Sequence, residues 1–179
     1  MDYPIEQIKE KLTRPISLIG MMGVGKSHFS SRLCKKLGVM GYDMDNLIEE
    51  DQKDSISNIF AKHGESYFRT LETQKLAELI TLPPAIISTG GGVVVTPVNL
   101  KAITHYTHSI WIKSGVDDIM ARLQNNKSRP LLQTENPRAT VENFLASREA
   151  LYAQADIHIE NDGKNDVMAQ IIDALSKAV

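Results

Sequence analysis

Residues 20 to 27, Gly-Met-Met-Gly-Val-Gly-Lys-Ser, fit the pattern G-x-x-x-x-G-K-[ST] and constrain the fold more than any other stretch. The apolar run PISLIG before them reads as a buried strand, and residues 25–37 after them read as a helix. Such a loop works only where a strand delivers it to a helix N-terminus, because the helix end presents unpaired N–H groups and a positive dipole to an anion. The glycines permit backbone angles that a Cβ forbids. The main chain of Met22, Gly23, Val24 and Gly25 is therefore expected to wrap the phosphates of a nucleotide. Lys26 is expected to reach the β- and γ-phosphates, and Ser27 to bind Mg²⁺ directly through its hydroxyl. A glycine-rich turn that binds nothing is the competing reading, and the Lys-Ser pair weighs against it. The motif specifies a bound nucleoside triphosphate and is silent on the reaction, since switches, motors and metabolite kinases all use it.

The remaining chain repeats the strand-then-helix rhythm. Strands are expected at 39–43, 84–89, 107–113 and 156–160. Between them, 44–54 reads as a polar-faced helix start. Ser55 is placed to cap a further helix that Gly64 stops, and 65–80 and 116–124 have helical periodicity. A helix is expected up to about residue 155, and another at the C-terminal end. Alternating strands and helices predict an α/β fold with a five-stranded parallel sheet flanked by helices. Residues 125–139 break the rhythm: they are polar, contain two prolines and are long for a connection, which suits a lid. Residues 1–13 read as an amphipathic helix or loose lead-in, and 14–179 as a single domain. Parallel sheets bind ligands beyond the carboxyl ends of their strands. Each chemically suggestive stretch, Gly20–Ser27, Asp43/Asp45 and Gly90–Gly92, follows an expected strand.

Charge and composition narrow the partners. A net charge of −2 with no Lys/Arg run argues against nucleic acid or an anionic membrane surface. The first residues carry no apolar leader and no run approaches membrane-spanning length, so the cytoplasm is the expected location. Cys34 is the sole cysteine and falls at helical spacing with Phe29, Leu33 and Leu37, which suits a packed side chain rather than a nucleophile. The five histidines are scattered without metal-ligand spacing.

A second set of residues has the chemistry of an acceptor site. Asp43 and Asp45 end the second strand, where one carboxylate would hold a water of the magnesium shell and the other would align a hydroxyl for attack. Helix capping by Asp45 is the plain alternative. The three glycines of STGGGVV let a backbone approach a ligand closely. Ser88 and Thr89 stand where a hydroxyl would bind a metal-shell water. Arg69, with Glu72 three residues on to steady it, and Arg148 and Arg129 offer planar forks suited to carboxylate or phosphate. A surface charge is the ordinary fate of each.

Taken in order, GMMGVGKS, DMDNLIE, GESYFRTLE, STGGGVV, SRPLL and SREALY resemble the shikimate kinase family from about Pro15 to the end of the chain. The resemblance implies a P-loop fold of the nucleoside monophosphate kinase type with a lid over about 125–139. It implies ATP-dependent phosphorylation of a ring hydroxyl of shikimate to shikimate 3-phosphate, a step of aromatic amino acid biosynthesis. Asp45, Arg69, Gly91 and Arg148 would hold shikimate, with Gly90 and Gly92 shaping the pocket and the two arginines gripping the carboxylate. Asp45 would act on the attacking hydroxyl, and Asp43 and Ser88 would serve Mg²⁺ through water. Arg129 of the lid would join Lys26 at the ATP phosphates, and Lys164 would take the adenine-side place where family members often carry arginine. A monomer is expected. The rival readings are a kinase for quinate, gluconate or a nucleoside monophosphate, and a nucleotide-binding protein without transferase activity. A guanine-specific switch would need N-K-x-D, and Asn126-Lys127-Ser128-Arg129 lacks the aspartate.

Overall fold

The strands form because short β-branched runs are bounded by glycine, proline or polar residues. The computed structural model describes residues 3–123 and 135–179. Its sheet contains β1 (Ile16–Ile19), β2 (Gly41–Asp43), β3 (Ile86–Ser88), β4 (His108–Lys113) and β5 (Ile157–Glu160), in the order β2-β3-β1-β4-β5. Every neighbouring pair is parallel. The helices are α1 (Tyr3–Lys11), α2 (Lys26–Leu37), α3 (Met44–Gln52), α4 (Ile56–Leu79), α5 (Pro97–Tyr106), α6 (Val116–Leu123), α7 (Pro137–Tyr152) and α8 (Val167–Ala178). All five expected strands are present, each starting one or two residues later than the sequence limits.

Alternation along the strands sends side chains into two separate apolar layers. Ile16, Leu18, Ile86, Ile110, Ile112, Ile157 and Ile159 pack on one face with residues of α1, α2, α6, α7 and α8. Ile19, Ile87 and Trp111 pack on the other with residues of α4, α5 and α7. Edge strand β5 alternates buried and exposed residues, whereas β1 is buried throughout. A smaller cluster of Ile48, Ile59 and Phe68 joins α3 to α4.

Gly64, with φ 79° and ψ 174°, breaks the helical path inside α4, so the two helices expected on either side of it meet at a kink, as the stop at Gly64 requires. Two other features differ in detail from the sequence expectation. Helix α5 and the preceding 3-10 turn Val93–Val95 occupy a stretch to which the sequence pattern assigned nothing. The expected lid falls outside the described residues as far as 134, as does Arg129, and its last residues from Pro137 begin α7. Helix α7 ends at Tyr152, short of the expected 155. Among the described residues no helix is long and apolar enough to cross a membrane.

The strand order places the site. From β1 the chain crosses to β2, and from β3, the neighbour of β1, it crosses the other way to β4. Connections that diverge from adjacent strands open a crevice at their carboxyl ends. The phosphate-type loop leaves β1 there, and the three glycines leave β3 there.

Candidate active site

Gly25 turns the main chain from loop to helix. Its φ of 96° lies in the left-handed region, and it is the N-cap of α2. Lys26, buried behind the loop, donates to the carbonyls of Gly20 at 2.8 Å and Met21 at 3.0 Å, so it spans the loop it belongs to. From the far side, Asn161 at the end of β5 donates through Nδ2 to the Val24 carbonyl at 2.9 Å. The loop is thus braced by its own lysine and by Asn161 from outside it, which favours a fixed anion cradle.

Ser27, Asp43 and Ser88 meet at the mouth of this loop. Ser27 Oγ donates to Asp43 Oδ2 at 2.7 Å and lies 3.3 Å from Ser88 Oγ. These oxygens come from the start of α2 and the ends of β2 and β3. Small hard oxygen donors of this kind, partly as a carboxylate and partly as hydroxyls, suit Mg²⁺, which keeps several waters. No group of three or more His, Cys, Asp or Glu side chains placed to hold a metal occurs among the described residues. The oxygens that this chain brings to the place are two hydroxyls and one carboxylate.

The structure corrects the capping assignment. Asp43, not Asp45, is the N-cap of α3 and accepts from the Asn46 amide at 3.3 Å. Strand geometry stops at Asp43, and Asp45 sits in the first turn of the helix. Relieved of capping, the Asp45 carboxylate faces the cavity, beside Gly90 and Glu72.

A single cavity of about 690 Å³ joins the two sets of residues. Its donor end is lined by Met22, Gly23, Gly25, Lys26 and Ser27, and its acceptor end by Asp45, Arg69, Gly90, Gly91, Gly92 and Arg148. Asp43 lies between them. Ser88 is buried just behind the lining, and Val24 turns its side chain into the core. Lys164 does not line the cavity; it sits in the exposed turn after β5, its amide bonded to Asp162 Oδ1 at 2.9 Å.

The triple glycine provides space rather than unusual backbone angles, since none of the three has positive φ. A Cβ on Gly90 would stand 2.8 Å from Asp45 Oδ1 and 2.9 Å from Glu72 Oε1. One on Gly92 would stand 2.5 Å from both terminal nitrogens of Arg69. The acceptor side chains therefore press directly on the glycine backbone.

Glu72 is the group that the sequence understated. It is 1% exposed, and it receives Arg69 Nη1 at 2.5 Å, while Glu65 takes Nε and Nη2 of the same arginine at 3.1 and 2.8 Å. Its second oxygen has no hydrogen-bond partner among the described residues. Burial pushes the Glu72 carboxyl above the usual carboxylate range, Arg69 pulls it back, and Asp45 pushes it up again. Arg148, buried in the same lining, donates to the Gly91 carbonyl at 3.3 Å and lies 4.2 Å from the centre of the Phe144 ring. An apolar side is supplied by Ile56, Phe60 and Phe68, with the two phenyl rings 4.7 Å apart. Arg122 also reaches the cavity, held by Ser114 Oγ at 3.0 Å. No motif flagged these last residues, because each arrives there through tertiary packing; the run Tyr67-Phe68-Arg69 was the nearest signal.

Comparison with known proteins gives a consistent family. Residues 22–176 match the shikimate kinase family. A curated shikimate kinase from Cereibacter sphaeroides is 38% identical over 164 residues, covering 91% of this chain and 82% of that one. The structure of shikimate kinase from Acinetobacter baumannii in complex with shikimate superposes with a TM-score of 0.84 at 32% identity, covering 96% of this chain and 94% of that one. A gluconokinase from Sinorhizobium meliloti shares the fold alone, at 8% identity and a TM-score of 0.56 over 93% of this chain and 94% of that one.

Proposed function

The chain belongs to the shikimate kinase family, and from that premise we propose that it transfers the γ-phosphoryl group of ATP to a ring hydroxyl of shikimate, giving shikimate 3-phosphate and ADP. The observation that carries the reading is the single cavity in which the phosphate loop faces Asp45, Arg69 and Arg148. A nucleotide switch has no use for a second, carboxylate-gripping end.

In this reading the roles follow from chemistry. The loop amides of Met22 to Gly25 and the ammonium of Lys26 neutralise the ATP phosphates, with Arg129 of the lid and Lys164 on the adenine side as further nucleotide contacts. Ser27 would hold Mg²⁺ directly, and Asp43 and Ser88 would hold it through water. When bound, the ion offsets charge on the phosphates and leaving ADP. Arg69 and Arg148 fix the acceptor's carboxylate between two forks. Gly90, Gly91 and Gly92 form the floor against which the ring lies. Asp45 accepts a hydrogen bond from the attacking hydroxyl. A bond forms between that oxygen and the γ-phosphorus as the bridging bond to the β-phosphate breaks, and the hydroxyl proton passes to Asp45. Catalysis here is positioning and charge neutralisation more than covalent chemistry. A cytoplasmic monomer is part of this reading, supported by a cavity that the described residues of one chain line at both its ends.

The deciding experiment measures acceptor-dependent ADP release with shikimate, quinate, gluconate and nucleoside monophosphates side by side. Shikimate is expected to be the preferred acceptor; turnover with another acceptor and none with shikimate overturns the proposal. Asp45→Asn is expected to lower kcat at least about a hundredfold, within the range for a positioned proton acceptor. Near-normal turnover by this variant would remove Asp45 from its role.

A further inference from the structure

The segment Gly90–Gly92 has no side chains with which to hold itself in place, yet it forms the floor of the acceptor end. Something outside must fix its peptide planes. The Gly91 carbonyl turns toward α7, where it accepts from Arg148 Nη1 at 3.3 Å and from the phenolic hydroxyl of Tyr152. Tyr152 lies one helical turn after Arg148, so both side chains project from one face of α7.

Tyr152 is fully buried. Its ring stacks on Trp111 of β4 at 5.9 Å with an interplanar angle of 24°, and Trp111 is in turn met edge-on by His158 at 5.2 Å. His158 is anchored to the carbonyls of Ala153 and Ala155 at 3.2 and 3.1 Å. The phenol is therefore set by the sheet and by the end of α7, not by the glycine segment. A buried hydroxyl with a fixed ring is a rigid donor, and the peptide it meets has a fixed direction. Because the peptide is planar and trans, holding the Gly91 carbonyl toward α7 turns the N–H of Gly92 the opposite way. The Gly91 carbonyl and the Phe144 ring together restrain the Arg148 guanidinium.

We infer that Tyr152 is a positioning residue for the acceptor: through the Gly91 carbonyl it sets both the glycine floor and the Arg148 guanidinium. The inference rests on the assignment of this end of the cavity to shikimate. Nothing in the loop motif or the arginine pattern points to it, since a tyrosine four residues after an arginine is an ordinary core residue by sequence.

The test is Tyr152→Phe, which removes one oxygen and keeps the stacked ring. Expected is a rise of about tenfold in KM for shikimate, with KM for ATP within twofold and kcat reduced by less than about threefold, as loss of one hydrogen bond implies. In the protein without ligand, the Gly92 amide should exchange its proton faster in the variant while the amides of Gly23 and Gly25 stay unchanged. Unaltered KM for shikimate overturns the inference, as does a parallel rise in both KM values accompanying a lowered Tm, which marks a purely structural residue. If the wild-type protein fails to phosphorylate shikimate at all, the functional assignment falls and the inference falls with it. An active wild type with an indifferent variant overturns the inference alone.

Discussion

At the scale of single residues, Glu72 poses the sharpest energetic question. Its carboxyl is buried and held above the usual range, chiefly by burial, although Arg69 lies in contact. In the folded protein it therefore keeps its proton to higher pH than in the unfolded chain. The stability associated with that proton is fully present below the unfolded value and is lost as pH rises through the folded one. Ionising Glu72 in the folded protein thus costs stability, while the same carboxyl accepts from Arg69 Nη1 and aims it. Glu72→Gln, which cannot ionise, should gain on the wild type in Tm across the pH range over which the folded Glu72 carboxyl loses its proton. Its KM for shikimate should nevertheless rise about tenfold, because the Arg69 fork loses its buried charged partner and keeps only the exposed Glu65. A constant Tm difference across that pH range would contradict the raised carboxyl. Residue identity made Arg69, Arg148 and Asp45 legible from the sequence, because their neighbours form ordered motifs. Burial belongs to the whole fold, which is why Glu72 read only as an i+3 partner; the alternative of a cap at Asp45 falls away because the strand ends at Asp43, which caps α3.

At the scale of elements, the kink in α4 shapes the acceptor end. Gly64 has φ 79° and ψ 174°, a conformation almost confined to glycine, while a Cβ there would meet nothing within 4 Å. The constraint is backbone strain and not space. The kink lets the first half of α4 return Phe60 onto Phe68 and bring Ile56 and Ser57 to the cavity wall. Gly64→Ala should lower stability by about 1–3 kcal/mol in denaturant unfolding and raise KM for shikimate, leaving KM for ATP unchanged. Equal stability in the two proteins would show that the kink carries no strain. Gly64 was readable as a stop because it interrupts two helical patterns. Helix α5 was not readable: Val98, Ile103 and Thr104 mix β-branched residues into a weak pattern, and Thr96 gives its N-terminus no side-chain cap. Its one local signal was Pro97 in the first turn.

For the whole molecule, strand alternation and the P-loop sufficed to foresee a parallel sheet with its site at the carboxyl ends, since both are local patterns with one topological outcome. The part played by α1 was less visible, because a short amphipathic segment does not name its partner. Ile5, Ile8 and Leu12 enter the same apolar layer as Leu37, Ile171 and Leu175, so α1 closes the face formed by α2 and α8. That layer lies across the sheet from Trp111 and Tyr152, and α1 supplies no residue to the cavity lining. Burying one isoleucine fully is worth roughly 1.5–3 kcal/mol in transfer alone, and a cavity left behind adds to the loss. Ile8→Ala should therefore lower unfolding free energy by about 2–5 kcal/mol while KM for shikimate and ATP stay within twofold of wild type. Chemical denaturation paired with steady-state kinetics separates the two effects. A variant as stable as wild type would mean that α1 rests on the domain without contributing to its core. A selective change in KM would mean instead that this layer communicates with the cavity through β1, whose Leu18 packs in it and whose end carries the phosphate loop.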